Sequence, residues 1–366
     1  MYIQHITIFL LASLGSYILV KSIKDLSLKY NILALPKSDR WHDKAIPLHG
    51  SFGFFVVFIF LTLFTISAYS PDKELIIGSQ ENLISPEIIK QITFVIALIG
   101  SSLLFFIFGF VDDLYSLKPA TRLLFQVLVS SLFIFDTNMY NISDIQVINF
   151  LYTLVWFVGI INAINFIDSF DGIASGNVLI STICILLLAL SSEESSNLFY
   201  MISILVIFSG VLIGYLIHNF PSASIFMGDS GSLTIGFIIA AVSIPSEFNT
   251  YLGLSSTDYL SLVIYPCLIL AFPIFDTTLV VVSRILNGRK FYEGGKDHTA
   301  HRLSKIGLSD KSVFAVIMTY TIFSCSLIFM SKYFDYSLIL ISLAIFSISL
   351  VLLFLFHNSS DQKKRI

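Results

Sequence analysis

Ile148-Asn-Phe-Leu-Tyr-Thr-Leu-Val-Trp-Phe-Val-Gly-Ile-Ile161 runs without a charge into Asn162-Ala-Ile-Asn165-Phe-Ile-Asp168-Ser-Phe-Asp171-Gly172. The first part has the character of a membrane span, and the second is polar, acidic and without a cation. Acids held at the end of a span are costly unless something compensates them. A bound divalent cation is the simplest compensation, because carboxylate and amide oxygens suit hard ions. Asn165, Asp168 and Asp171 recur every third residue, which places them on one face if the helix continues. Gly172 then permits the backbone to reverse.

The rest of the chain agrees with a span at this place. Of 366 residues, 56% are hydrophobic and 12% are charged, against roughly 25% charged in soluble domains. The composition excludes a soluble globular enzyme and predicts a polytopic membrane protein. Windows of about 20 apolar residues mark candidate spans near 4–20, 50–69, 91–111, 123–139, 148–167, 175–191, 198–217, 231–246, 259–283, 312–331 and 337–356. The expected fold is therefore all-α: one integral-membrane helical bundle of ten to eleven transmembrane helices spanning 1–366. Its first run lacks the basic start of a cleaved signal peptide and is expected to be a retained span. Cys184, Cys267 and Cys325 lie in apolar runs with no Cys-x-x-Cys spacing, so neither a zinc site nor a disulfide framework is expected.

All 21 Lys and Arg residues fall between spans or in the tail. Alternate connections hold nearly all of them, with six in 21–49 and seven in 284–311. The positive-inside rule makes that face cytoplasmic, which puts the N-terminus outside and the C-terminus inside. The same topology gathers five unusual loops on the cytoplasmic side: 36–53, 112–122, 162–176, 218–232 and 284–311.

The first loop carries Arg40, His42 and Lys44, suited to phosphate or to anionic lipid headgroups. The second contains Asp112-Asp113, followed by Lys118 and Arg122; adjacent carboxylates repel, and a cation holds both ionised. The third is the acidic stretch quoted above. In the fourth, Asp229 stands near Gly228 and Gly231 just before a span, and Phe226 offers a face for stacking on a nucleobase. The fifth is the longest and most basic, with His298 and His301. Asp276 lies inside a span beside Pro273. Pro273 is expected to break the helix, with Asp276 bonding the released backbone groups or capping a half-helix.

Taken together and in this order, the loops resemble the polyprenyl-phosphate N-acetylhexosamine-1-phosphate transferase family, of glycosyltransferase 4 type. The matching pieces are Arg40-Trp-His42 with Pro47 and Gly50; Asp112-Asp113 with Pro119; Asn162-x-x-Asn165-x-x-Asp168-x-x-Asp171-Gly172; Phe226-Met-Gly-Asp229-x-Gly231; and Asp297-His298-x-x-His301-Arg-Leu303. The chain departs from the family pattern at Ser51, Ser169 and Ala300, where Gly, Gly and His are usual. It lacks the His-His-His-Phe-Glu run of phospho-MurNAc-pentapeptide transferases, so it resembles the branch that uses UDP-GlcNAc.

The resemblance implies transfer of an N-acetylhexosamine 1-phosphate, GlcNAc-1-phosphate first, from a UDP-sugar to undecaprenyl phosphate, with release of UMP. That is the first membrane step of envelope polysaccharides such as O-antigen or teichoic acid. It implies Mg²⁺, with Mn²⁺ as a second candidate, and a bacterial inner-membrane enzyme whose site faces the cytoplasm. By position, Asp112, Asp113, Asp168 and Asp229 are the expected catalytic acids, with Asp112, Asp113 and Asp229 on the metal. Asn165, Asp171, Phe226, His298, His301, Arg122, Arg40 and His42 are the expected substrate-binding residues. The expected partners are the UDP-N-acetylhexosamine, the polyprenyl phosphate and the bilayer, with no nucleic acid; a homodimer is an open assembly state. Two other classes compete: an ion-coupled secondary transporter, with its acids near the midplane, and an intramembrane aspartyl protease built on Gly228-Asp229.

Overall fold

The computed structural model describes residues 2–34, 45–68, 86–137, 142–191, 198–244, 259–290, 292, 294–331, 333–335, 337–345 and 347–348. Helices dominate them: α1 (Tyr2–Lys29), α2 (Ser51–Ala68), α3 (Pro86–Tyr115), α4 (Pro119–Asp136), α5 (Gln146–Ile167), α6 (Ile173–Leu190), α7 (Phe199–Asn219), α8 (Asp229–Val242), α9 (Tyr259–Ile269), α10 (Ala271–Leu286), α11 (Thr299–Lys305) and α12 (Asp310–Met330). A two-residue antiparallel ladder, β1 (Leu33–Ala34) with β2 (Ile46–Pro47), precedes α2. The chain is an all-α polytopic membrane protein. Among the described residues, seven helices are long and apolar enough to cross a membrane, and eight if the bent pair α9–α10 counts as one span. The shorter apolar helices α4 and α8 fall where two further spans are expected. Of the last expected span, 337–356, residues 337–345 and 347–348 are described and helical, and the rest lies outside the described residues.

Burial sorts the helices into layers. Every residue of α8 from Ser230 to Val242 is buried, and α3, α5 and α6 pack around it. A helix apolar on all sides belongs in the centre of a bundle. Its 14 residues rise only about 21 Å, shorter than a bilayer core. On the outer helices the apolar side chains face outward, as at Leu124, Leu128 and Leu132 on α4. With no driving force for burial in acyl chains, that face is the lipid contact.

Two local features position the polar loops. Gly109 on α3 lies against the start of α8; a Cβ there would meet the Ser230 Cα at 2.5 Å. This close approach brings Asp112 and Asp113, one turn on, to the α8 N-terminus. The second feature is an 80° bend between α9 and α10. It lies at Leu270 rather than at Pro273, which occupies the first turn of α10. Proline fits a first turn because no intrahelical partner awaits its missing N–H. The carbonyl left open, that of Ile269, accepts the Ser181 hydroxyl from α6 at 2.8 Å.

Candidate active site

The acidic residues of separate loops meet at one end of the bundle. Asp113, in the last turn of α3, accepts the backbone N–H groups of Asp229 (2.8 Å) and Ser230 (3.2 Å) and the Ser230 hydroxyl (3.1 Å). Helix N-terminal amides lack intrahelical acceptors, so α3 caps α8 across the bundle. Asp112 is 2% exposed and is held by the Leu117 amide at 2.7 Å and by Arg122 Nε at 2.6 Å. Arg122, in the first turn of α4, also brings Nη1 to 3.6 Å from Asp229 Oδ2. It thereby links the second and fourth loops.

From α5, Asn165 Nδ2 donates to Asp229 Oδ1 (2.9 Å) and to Ser232 Oγ (2.8 Å). Asp168 follows at the C-cap of α5. Burial pushes its carboxyl well above the usual range, and the charges of Asp229, Asp113 and Asp171 push it further. Those three acids are therefore its electrostatic neighbours. Asp171 Oδ2 accepts the Ala223 amide at 2.7 Å, which pins the fourth loop. That loop is also laced to β2: the Phe226 amide donates to the Pro47 carbonyl, and the Gly50 amide to the Phe226 carbonyl, both at 2.9 Å. The Phe226 ring is half-buried beside Asp229 in sequence. Arg40 and His42 lie outside the described residues.

A second cluster forms where α10 meets the fifth loop. Asp276 accepts from His298 Nδ1 at 2.8 Å and from the Thr299 amide at 2.6 Å. Arg284, two turns on, grips Asp297 with Nε at 2.8 Å and Nη2 at 2.7 Å. Burial pushes Asp297 up, but the hydrogen bonds and charge of Arg284 hold it below the usual carboxylate range. The His298 ring lies 5.7 Å from His301, and Phe166 on α5 approaches it at 6.2 Å. His301 is driven down to about 4, first by burial and then by the charge of His298. Consecutive residues of α5 thus reach the two clusters, Asn165 the acids and Phe166 the histidine.

Several participants were not singled out from sequence. His49 holds a left-handed backbone, φ 68°, and brings Nδ1 to 3.6 Å from Asp113; a non-glycine residue in that region is a known mark of a functional site. Its signal in the sequence was its place beside Gly50. Ser230, Ser232 and Arg284 gave none, since a lone hydroxyl or a juxtamembrane arginine has many ordinary roles. Asp276 caps α11, a helix other than its own.

The acid set fits a hard cation by chemistry. Among the described residues no three His, Cys, Asp or Glu side chains form a ready-made shell. Of the expected trio, Asp112 and Asp113 turn their oxygens to Arg122, Leu117 and the α8 amides. Asp168 differs: its carboxylate has no hydrogen bond or ion pair among the described residues, and three acids surround it. Asp229 Oδ2 meets Arg122 only at 3.6 Å, and Asn165 bonds through its amide nitrogen, leaving Oδ1 uncommitted. Three oxygen donors are thus uncommitted or weakly held where negative charge is greatest.

Residues 95–247 match the model of glycosyl transferase family 4. That window takes in the second, third and fourth loops. The chain is 29% identical over 339 residues to the probable undecaprenyl-phosphate N-acetylglucosaminyl 1-phosphate transferase of Bacillus subtilis, covering 89% of this chain and 85% of that protein. It is 33% identical over 228 residues to the decaprenyl-phosphate N-acetylglucosaminephosphotransferase of Mycobacterium leprae, 57% of each chain. The phospho-N-acetylmuramoyl-pentapeptide-transferase of Streptococcus thermophilus is 33% identical over 160 residues, 39% of this chain and 46% of that protein.

Proposed function

Because this chain belongs to glycosyl transferase family 4, we propose that it moves GlcNAc 1-phosphate from UDP-GlcNAc to undecaprenyl phosphate and releases UMP. Its place in this family makes it a phosphotransferase; the donor, the lipid and the ion are our reading. The observation that carries it is the meeting of Asp112, Asp113, Arg122, Asn165 and Asp168 around Asp229, at the ends of α3 and α5 and the starts of α4 and α8. The site faces the cytoplasm, where nucleotide sugars are made, with the N-terminus outside and the C-terminus inside, in the bacterial inner membrane.

The physical problem is the meeting of two anions. Like charges about 4 Å apart repel by roughly 4 kcal/mol per unit pair at an effective dielectric near 20. Arg122, poised between Asp112 and Asp229, offsets part of this. His298 offers Nε2 from the second cluster, beside Phe166 of α5. Mg²⁺, or Mn²⁺ in its place, supplies further neutralisation when bound. Asp229, Asp168 and the Asn165 side-chain oxygen would hold the ion, in place of the Asp112–Asp113–Asp229 trio expected from sequence. Asp112 and Asp113 keep Arg122 and α8 in register. Phe226 offers its ring to the uracil.

No general base is needed. The second pKa of a phosphate monoester is near 6, so the lipid phosphate is mostly a dianion at neutral pH. It attacks the sugar-linked phosphorus directly, and UMP leaves in line. A covalent phosphoryl-aspartate is the rival path; labelled phosphate trapped on the protein without lipid acceptor would establish it.

The transporter reading needs acids near the bilayer midplane, and the protease reading needs two aspartates sharing a proton. These acids cluster at helix ends, and Asp113 is engaged by backbone amides. The deciding assay is UMP release from several UDP-sugars with undecaprenyl phosphate, titrated with Mg²⁺. Release from UDP-GlcNAc that depends on both lipid and metal is the expected result. No release from any UDP-sugar would end this reading.

A further inference from the structure

Asp276 sits in the second turn of α10, just past the 80° bend. It is 1% exposed and His298 is 6% exposed. Its carboxylate turns away from its own helix. Oδ2 takes the His298 Nδ1 and Oδ1 takes the Thr299 amide, two consecutive residues more than twenty positions downstream.

A helix cap alone does not call for this. The N-terminus of α12 is capped by a neutral serine, with Ser309 accepting the Ser312 amide. Burying an ionised carboxylate is far more costly than burying a hydroxyl, unless the charge is paired. The partner present is an imidazole that can carry the matching positive charge. Arg284 on the same helix holds Asp297, the residue before His298. One helix therefore grips the segment on both sides of the histidine. Nε2 is left as the ring nitrogen with no partner among the described residues.

We infer that Asp276 is a positioning residue: it fixes His298 with Nδ1 protonated, stabilises the imidazolium, and leaves Nε2–H to donate to the diphosphate of the nucleotide sugar. The inference rests on the transferase reading above for what His298 contacts. Geometry alone supplies the ring orientation. The charged and titratable groups facing the histidine are Asp276 on α10, Asp297 in the connection and His301 on α11; behind them Arg284 and Arg289 face Asp297, and Lys305 faces His301. With Asp276 as the buried acceptor, a proton on Nδ1 is held whatever state Nε2 takes.

Asp276→Asn separates the two jobs. The amide oxygen still accepts the Thr299 N–H, so the cap survives. The amide NH₂ now faces Nδ1, which must become an acceptor, and the imidazolium is opposed. His298→Gln serves as the control for the transferase reading. Three measurements are made on the full chain in detergent: thermal melting, kcat and KM for UDP-GlcNAc across pH 5.5–9, and ¹⁵N resonances of histidine-labelled protein. In the spectra His298 is assigned by its loss in His298→Gln.

Wild-type protein should show a protonated Nδ1 at His298. Asp276→Asn should keep its melting temperature, leave His298 as a neutral ring protonated only at Nε2, and raise the donor KM about tenfold or more, because the hydrogen bond to the diphosphate loses its positive charge. The pH dependence of donor KM should flatten. An impaired His298→Gln beside an Asp276→Asn with unchanged KM, pH profile and ring state would overturn the inference and leave the transferase reading intact. An unchanged donor KM in His298→Gln would instead remove His298 from the donor site. If Asp276→Asn fails to fold, the wild-type spectrum still decides: a His298 whose Nδ1 lacks its proton would sink the proposal.

Discussion

Asp113 Oδ1 accepts the backbone N–H of Asp229 at 2.8 Å, while its other oxygen takes the Ser230 amide and hydroxyl. The last turn of one helix thus completes the first turn of another and aims the Asp229 side chain at Asn165 and Arg122. Asp113→Ala leaves those donors without an acceptor and should cost about 2 kcal/mol of stability. Asp113→Asn keeps one acceptor and should melt closer to wild type. Asp229→Asn should fold normally and lose turnover almost completely. Parallel melting and UMP-release curves for the three variants test this ordering. Equal melting of Asp113→Ala and wild type would remove the capping role.

Gly228 is required twice over. Its φ of 75° lies in the left-handed region, and a Cβ would stand 2.5 Å from Asp113 Oδ2. Left-handed backbone costs an L-residue about 1–2 kcal/mol, and the carboxylate must also move. Gly228→Ala should therefore lose about 2–3 kcal/mol of stability and most activity together. Gly288 shares a positive φ of 68° but has nothing within 4 Å of an added Cβ. Gly288→Ala should pay the backbone strain alone and keep its turnover, which makes it the control.

The sequence made the span pattern and the membership of the acid cluster legible, because both depend on local chemistry. Apolar runs declare helices, and an Asp-Asp pair at a span end declares a polar terminus. Which way each carboxylate turns was not legible. Asp113 faces α8 because Gly109 lets α3 approach it, a contact between residues more than a hundred positions apart. Asp276 was marked by its place inside a span, but its partner was hidden. Pairing it with His298 requires the bend at Leu270, which sits a few residues before the proline that advertised it. His49 was hidden for another reason. Its left-handed backbone is imposed by the β2-to-α2 connection and by packing against Phe110, not by anything a histidine prefers.

His301 gives stability a definite pH dependence. Its folded pKa lies at about 4, below the unfolded value of about 6.5. Between those values the unfolded chain binds more protons, so stability falls as pH falls. The contribution is fully present above about pH 6.5 and is lost as pH drops towards 4, a change of about 3 kcal/mol. Melting temperatures from pH 7.5 to 4.5 should decline more steeply in wild type than in His301→Gln. Parallel declines would show that the ring is protonated in the folded protein.

Chelation should abolish turnover and Mg²⁺ should restore it, but activity alone does not say which oxygens hold the ion. Stability does. A ligand that binds only the folded state raises stability by RT ln(1 + [L]/Kd), about 2.7 kcal/mol at a hundredfold excess over Kd. The metal-dependent rise in melting temperature can be read without any substrate. If Asp229, Asp168 and Asn165 hold the ion, Asp229→Asn and Asp168→Asn should lose that rise. Asp112→Asn should keep it, because Asp112 is committed to Arg122 and the Leu117 amide. Metal-free Asp168→Asn should also melt no lower than metal-free wild type, because the substitution removes a desolvated charge crowded by Asp229, Asp113 and Asp171. A variant that gains stability without metal and loses the response to metal is hard to explain by misfolding. A loss of the Mg²⁺ response in Asp112→Asn with its retention in Asp168→Asn would return the ion to the paired aspartates of α3.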